Sequence, residues 1–397
     1  MPRRGTVVPE EFAATRKAAL EAIAPIRPAD ESTKARKDTL FSAKRSSAGQ
    51  MLPEYYLVYF LLVELLGFRN LGQFEKIAWS VPIDFNGKAY LIEHRKFGVG
   101  VFVQDPEIDE PACEQIVELI KQGVKMAKPF FVWLAEQAVI ESKLNVVNES
   151  IELFSRYQYF LERYKDIHDE AERRSEEKIV EQHIGGGGAK WTSVSFPAYE
   201  LRNQSQWMAQ AGIDAFFSWT EHVFIHIAIL TGNAKTGPDV AKLAVSSWYK
   251  KFASALDFGD NHTKELYEKL SAITEQLRNF MAHGAFGKRG EAFRFHSGAG
   301  AVPVLLAEEK GGYGVTIDGE IAFDESSALG IIEEFIAHLW SGPREPARIY
   351  IQESGLPLLL TMASDGTYLK AMRSTDEMEE FVRGLSRRFD DAANMDW

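Results

Sequence analysis

IAWSVPIDFNGKAYLIEHRKFGVGVFV, residues 77–103, decides how the first part of the chain folds. Apolar residues alternate on both sides of Asn86-Gly87, a dipeptide suited to the positive φ angles of a two-residue type I′ turn. The turn sets a register in which Phe85 faces Lys88, Ile83 faces Tyr90 and Val81 faces Ile92. Together with Ile77 and Trp79 these residues make one apolar face, so the stretch is an antiparallel hairpin or meander with one side in a core.

Before the hairpin, residues 9–47 read as two helices punctuated by Pro25 and Pro28, and Pro53 starts a third, mostly apolar helix ending near Gly67. After it, residues 111–183 carry a helical period and grow more charged, closing in DIHDEAERRSEEKIVEQ, a solvated helical face. Four consecutive glycines at 185–188 suit a linker. Beyond them, apolar spacing predicts a helix or pair of helices at 196–230 and further helices at 238–256 and 262–282, the last with Asp260 or Asn261 as N-cap. Its buried stripe is Leu266, Leu270, Ile273, Leu277 and Met281. Strand-like pieces at 292–296, 302–307 and 314–318 precede an amphipathic helix at 326–340. Residues 348–362 read as a hairpin, followed by a helix from 375 to about 389. The expected fold class is α+β and mainly helical: an N-terminal helical region with an antiparallel β-hairpin or meander, then an α-helical bundle with appended β-hairpins. The expected domains are an α+β domain at 1–184, a linker at 185–190, a helical domain at 191–343 and a small hairpin-plus-helix at 344–397.

Composition narrows the function. The chain has 397 residues and a formal charge of -12, and at 45% hydrophobic it has ample apolar surface for two or three cores, which excludes wholesale disorder. The apolar stretches 55–68 and 213–230 are interrupted by Glu64 and by Asp214, Glu221, His222 and His226, so both read as buried helices and no membrane partner is expected. The first residues hold arginines with no apolar run behind them, unlike a secretory signal, and the expected location is cytoplasmic. The single cysteine, Cys113, allows neither an internal disulfide nor a cysteine-cluster metal site. A pI near 5.4 excludes coating nucleic acid by bulk charge, so any contact must be local. Lys288, Arg289 and Arg294, close after Arg278, form such a local basic patch.

The sharpest string is QLRNFMAHGAFG, residues 276–287. Arg278 and His283 stand about 140° apart on an ideal helix and flank one edge of its end. Gly284 is a natural residue to follow a helix, which sets His283 where unpaired carbonyls and the helix dipole favour a cation. An arginine that forks onto phosphate beside a histidine that moves a proton suits cleavage of RNA by its own 2′-hydroxyl, with no metal or cofactor. Arginine, a polar residue and, after three more, histidine at the end of a long helix resembles the HEPN family (higher eukaryotes and prokaryotes nucleotide-binding) over residues 196–340. The resemblance implies a metal-independent endoribonuclease of a toxin, antiviral-defence or RNA-processing system, homodimeric, with a composite cleft where the motif helices meet. Carried over, Arg278 contacts the scissile phosphate, Asn279 supports it and His283 is the acid or base. Implied partners are RNA, a second copy, and an antitoxin or regulatory protein. The alternative is a catalytically silent HEPN scaffold for dimerisation or nucleotide sensing. The same spacing recurs at Arg163 and His168, inside the charged helix and without a terminating glycine.

Two other constellations carry polar chemistry. Asp214, Ser218, Glu221, His222 and His226 fall at helical spacing along one stripe, either lining a cleft beside Arg278 or forming a satisfied core network. His222 and His226 have zinc-ligand spacing without an obvious third ligand. In the hairpin, Asp84 with Glu93, Arg95 and Lys96 is similar to the metal-dependent PD-(D/E)xK nuclease core. The register sets the two carboxylates four residues, about 13 Å, apart, too far to hold one ion, which leaves ordinary strand-surface charge.

Overall fold

The computed structural model describes residues 9–35, 42–186, 190–283, 294–298, 300–303, 305–309, 312–316 and 325–395; within these, side chains at 276, 278–283, 294, 295, 301, 303, 305–309 and 312–316 fall outside the description. The chain is mainly helical α+β. It forms two compact units, Met1–Lys143 with Arg383–Trp397, and Leu144–Val382.

Unit 1 is built on the expected hairpin. Asn86 and Gly87 take φ values of 55° and 81° between strands Ile77–Phe85 and Lys88–Arg95. Phe85 pairs with Lys88, Ile83 with Tyr90 and Val81 with Ile92, while a register shift between Ile77 and Trp79 twists the far end. Call β1 Arg27–Pro28, β2 Lys44–Arg45, β3 and β4 the hairpin strands, and β5 Gly98–Val103; the sheet is antiparallel in the order β1-β3-β4-β5-β2. Its apolar face packs against α1 (Ala13–Ile23), α2 (Tyr55–Tyr59, continued by a π-helical stretch Phe60–Leu65) and α3 (Pro106–Met126). A Cβ at Gly123 of α3 would run into Ile23 of α1 and Leu61, so only glycine permits that approach. A further helix, α4, is Lys128–Ile140. The second helix expected before residue 47 is not found among the described residues; Arg27–Pro28 and Lys44–Arg45 are short edge strands instead, where a proline lacking an N–H is tolerated.

Unit 2 is organised by two long helices, α5 (Ser150–Arg173) and α6 (Pro197–Leu230). Phe154 meets Trp219, Tyr157 meets Phe216 and Arg202 bonds Glu172, so the helices run antiparallel. Between them lies a β-ribbon, β6 (Ile179–Ile184) with β7 (Lys190–Ser195), paired from Ile179↔Ser195 to Ile184↔Lys190. The glycine run therefore sits in the connection of a hairpin inside unit 2, and the two compact units divide at 143/144, not at the linker expected from flexibility alone. Residues 179–183, read as helix, are strand. By length and composition α6 could cross a membrane, yet 67% of its most apolar window is buried within the fold.

Around α6 gather α7 (Gly237–Ala244), α8 (Trp248–Ala255), α9 (Asn261–His283) and α10 (Glu325–Leu339). Aromatic rings weld them: Phe252 touches Phe224, Trp248, Phe258, Tyr267 and Phe335 at centroid distances of 5.2–5.8 Å. Strands Arg294–Ser297 with Gly300–Pro303, and Leu305–Glu309 with Gly312–Thr316, form two hairpins close to the expected pieces. The expected hairpin at 348–362 is absent. Ile349–Ser354 is π-helical, ends at Gly355 with φ 63°, and Leu358–Leu359 pairs with Asn145–Val146. Three successive buried residues, Ile349, Tyr350 and Ile351, give no period by which a strand can be told from a buried helix. The last helix, Thr375–Asn394, contributes to unit 2 up to Val382 and to unit 1 from Arg383.

Phe252 is fully buried in the densest aromatic contact set of unit 2. Its replacement by alanine is expected to destabilise the fold by about 3–5 kcal/mol in urea titrations; a loss under about 1 kcal/mol contradicts the packing described.

Candidate functional site

The motif helix α9 starts as expected. Asp260 accepts from the backbone N–H groups of His262 and Thr263, both at 3.2 Å, and from the Thr263 hydroxyl at 2.8 Å. The Thr263 hydroxyl in turn meets His338 Nε2 of α10 at 2.7 Å, and Arg344 donates to the His338 and Leu339 carbonyls. An imidazole N–H donating to a hydroxyl that donates to a carboxylate locks the start of α9 to the end of α10. Burial, then the Arg344 charge and the His262 ring, hold the His338 imidazole below its ordinary pKa. The stripe follows: Leu266, Leu270, Ile273 and Leu277 are all buried.

Helix α9 continues without a break to His283, so Arg278, Asn279 and His283 occupy its last turns. Their side chains lie outside those described, as does that of Met281. Gly284, Lys288 and Arg289 lie outside the described residues, and Arg294 opens a strand with its side chain likewise outside. Helix geometry places positions 278 and 283 about 110° to either side of the buried stripe, and 279 nearly opposite it.

The polar stripe of α6 divides by depth. Asp214 and Ser218 are exposed, and Ser218 Oγ accepts from Arg156 of α5 at 3.0 Å. Glu221 pairs with the buried Lys251 of α8 at 2.6 Å, an ion pair that satisfies a charge otherwise costly to bury. His222 Nε2 accepts from the Glu149 N–H at 3.0 Å, which makes the ring the Nδ1–H tautomer. His226 is buried with Nδ1 2.9 Å from the His222 carbonyl and Nε2 3.1 Å from the Val147 carbonyl. A neutral imidazole has one N–H, so one contact is a hydrogen bond and the other sets a lone pair against an oxygen. The two histidines lie ring to ring, 4.1 Å between centroids, and among the described residues no group of three or more His, Cys, Asp and Glu is placed to hold a metal ion. Glu221, His222 and His226 thus serve a network of side chains and backbone around residues 147–150 and Lys251.

The second Arg–His spacing is engaged locally: Arg163 reaches Asp166 and lies over the Tyr159 ring, and His168 reaches Asp169. In the hairpin, Asp84 and Glu93 correct the surface-charge expectation, since each is only 2% exposed. Burial opposes ionisation of Asp84, but bonds from Thr33, the Gly87 N–H and Arg27 outweigh it and hold the carboxyl below its usual range. Glu93 accepts from Ser80 Oγ and Arg95 Nε, each at 2.7 Å. The two carboxylates, four positions apart in the register, keep separate partners.

A cavity of about 740 Å³ escaped the sequence reading. It is lined by Leu71, Phe74, Glu75, Lys76, Ile77, Ser80, Glu93, Arg95, Lys96 and Phe97, all within unit 1. The one sequence signal was Phe97, an apolar residue in the tight β4–β5 turn.

No protein-family model, no curated protein and no solved structure matches this chain.

Burial, the largest cause for both rings, lowers His222 to about 4 and His226 to about 3 from an ordinary 6.5, with the His222 ring a further cause for His226. The unfolded chain takes up these protons near pH 6.5 and the folded chain does not. The pair therefore costs nothing above that pH, and stability falls as pH drops from about 6.5 toward 3. The urea midpoint is expected to decline between pH 7 and pH 4.5, and the decline to be shallower in His226→Leu; equal slopes contradict the assignment.

Proposed function

We propose that the chain is a metal-independent endoribonuclease of HEPN type, acting as a homodimer whose α9 ends meet. One observation carries the reading: α9 stays helical through His283, and helix geometry sets positions 278, 279 and 283 away from the stripe on which Leu266, Leu270, Ile273 and Leu277 are buried. A residue kept for packing would continue the stripe. These three are an arginine, an amide and a histidine, the types that phosphate binding and proton transfer need.

In this reading Arg278 forks onto the non-bridging phosphate oxygens and gains strength as negative charge gathers on them. The 2′-oxygen bonds to phosphorus as the P–O5′ bond breaks, which leaves a 2′,3′-cyclic phosphate, and His283 either takes the 2′-hydroxyl proton or delivers a proton to the departing 5′-oxygen. Asn279 orients the phosphate or the imidazole by a hydrogen bond. Lys288, Arg289 and Arg294 add positive charge along the strand. The RNA target, any antitoxin and a role in toxin or defence systems belong to the same proposal.

His283→Ala is expected to lower chelator-insensitive RNA cleavage by about 10²-fold or more, with cyclic-phosphate ends as the wild-type product. Arg278→Lys should retain charge but lose the fork, and so lose most of the activity. Activity abolished by EDTA, or cleavage unchanged in His283→Ala, contradicts the reading. Equal slowing of cell growth by wild type and His283→Ala points to the catalytically silent scaffold.

A further inference from the structure

The ribbon of unit 2 is a sheet of two strands, β6 and β7, with no third strand on either edge among the described residues. Such a pair is marginal in water by itself. β6 is exposed except at the half-buried His183, and its Val180 and Ile184 stand 57% and 73% open. An edge strand that must stay single carries a proline, a lysine or a bulge. β6 runs from Ile179 through Val180, Glu181, Gln182 and His183 to Ile184 in unbroken register and has none of these, whereas β7 opens with Lys190.

Which strand β6 can accept follows from its own pairing. Alternate residues of β6 give their N–H and C=O groups to β7, and those between turn theirs outward. A second β6 related by a twofold axis must set outward residues against outward residues, so the axis relates one residue to its own copy. An axis at Glu181 sets two like charges face to face. Axes at Val180 or His183 set Ile179 against Glu181 or Gln182 against Ile184. An axis at Gln182 pairs Glu181 with His183 and Val180 with Ile184, each twice, and sets amide against amide. On β7, axes at Thr192 or Ser193 set Lys190 against Val194 or Trp191 against Ser195, with no charge pair. The His183 ring is already placed, stacked on Trp191 with Nε2 2.8 Å from Ser193 Oγ. Glu181 lies 3.7 Å from that nitrogen on its own strand, so across the axis two carboxylates and two imidazoles form one alternating cluster.

We propose that β6 pairs antiparallel with β6 of a second copy of this chain, joining two ribbons into a four-stranded sheet centred on Gln182. The contact lies at the end of unit 2 toward which α9 runs: Thr263 and Lys269 of α9 meet His338 and Glu334 of α10 in antiparallel order, and Glu325 at the start of α10 bonds Gln206 of α6. Pairing the ribbons therefore brings like ends of two helical bundles together. The inference goes beyond the ribonuclease reading, which asks for a second copy at the α9 ends and not for this sheet; it is read by association and cross-linking, whether or not RNA is cut.

The test combines sedimentation equilibrium with cross-linking of the full chain. Wild type is expected to sediment as a dimer of the 44.7 kDa chain. Glu181→Lys, at an exposed position, should melt like wild type and dimerise about tenfold more weakly, because the change falls on both symmetric pairs. His183→Glu should weaken it likewise, and an equimolar mixture of the two variants should recover a mixed dimer, since lysine then faces glutamate. Facing residues stand about 4.5–5.5 Å apart between Cα atoms, within disulfide range, so oxidised glutathione should link Gln182→Cys to its copy. Thr192→Cys, three strand spacings or about 14 Å from its copy, should not link. The native Cys113 is buried. A monomeric wild type overturns the proposal and leaves the ribbon to a different protein. A dimer that Glu181→Lys does not weaken and Gln182→Cys does not link also overturns it, and leaves the α9 contact standing. Linking through Thr192→Cys alone assigns the contact to β7 and contradicts the register.

Discussion

The hydrogen bonds from α6 to residues 147–150 govern unit 2. This short segment joins the strand Asn145–Val146 to α5, and side chains of one helix serve it: His222 takes the Glu149 N–H, His226 faces the Val147 carbonyl, and Trp219 Nε1 donates to Ser150 Oγ. Gln352 closes the set from the π-helical stretch Ile349–Ser354 by accepting from Ser150 and Trp219. With the start of α5 pinned, the two long helices run antiparallel, and the ribbon between them completes the hairpin. The opposite flank of α6 carries Phe216 and Phe224, on which α8 and α10 assemble through Phe252 and Phe335. A long apolar helix can hold two neutral histidines because His222 takes the Glu149 N–H and one nitrogen of His226 donates to a backbone carbonyl.

Unit 1 follows a different logic. One face of its sheet is an ordinary apolar core. The other holds the carboxylates Asp84 and Glu93, each tied to its own donors, and the guanidinium of Arg95 lies 3.8 Å over the Phe102 ring. Polar groups buried on a sheet face constrain its register more sharply than apolar ones, because a one-residue slip would strand them without partners. That polar face, where a turn also leaves Phe97 in solvent, is where the fold opens a cavity.

The hairpin register could be read from sequence because a type I′ turn leaves one pairing open and side-chain alternation checks it at every step. The α9 stripe was equally legible, since four buried positions at helical spacing and Asp260 before them agree. The glycine run misled: flexibility suits the connection of a hairpin as well as a domain joint, and only the pairing of residues 179–184 with 190–195 separates the two. Asp84 and Glu93 read as surface charges because sequence does not reveal that Thr33, Arg27 and Ser80 arrive to satisfy them. In the α6 stripe both readings were open; His222 and His226 meet residues 147–150, about 75 positions earlier in the chain, and Glu221 meets Lys251, neither of which spacing along α6 reveals. The cavity was illegible because its walls come from turns whose meeting depends on the sheet.

Whether two copies of α9 present their ends to each other is the claim on which the enzymatic account turns. Cys113 is buried and leaves the surface free for a single introduced cysteine. Spin labels attached at position 279 of the full chain report the inter-subunit separation directly. The account predicts one short distance, on the order of two helix diameters or about 20 Å. Absence of intermolecular coupling, or a separation beyond about twice that distance, contradicts it.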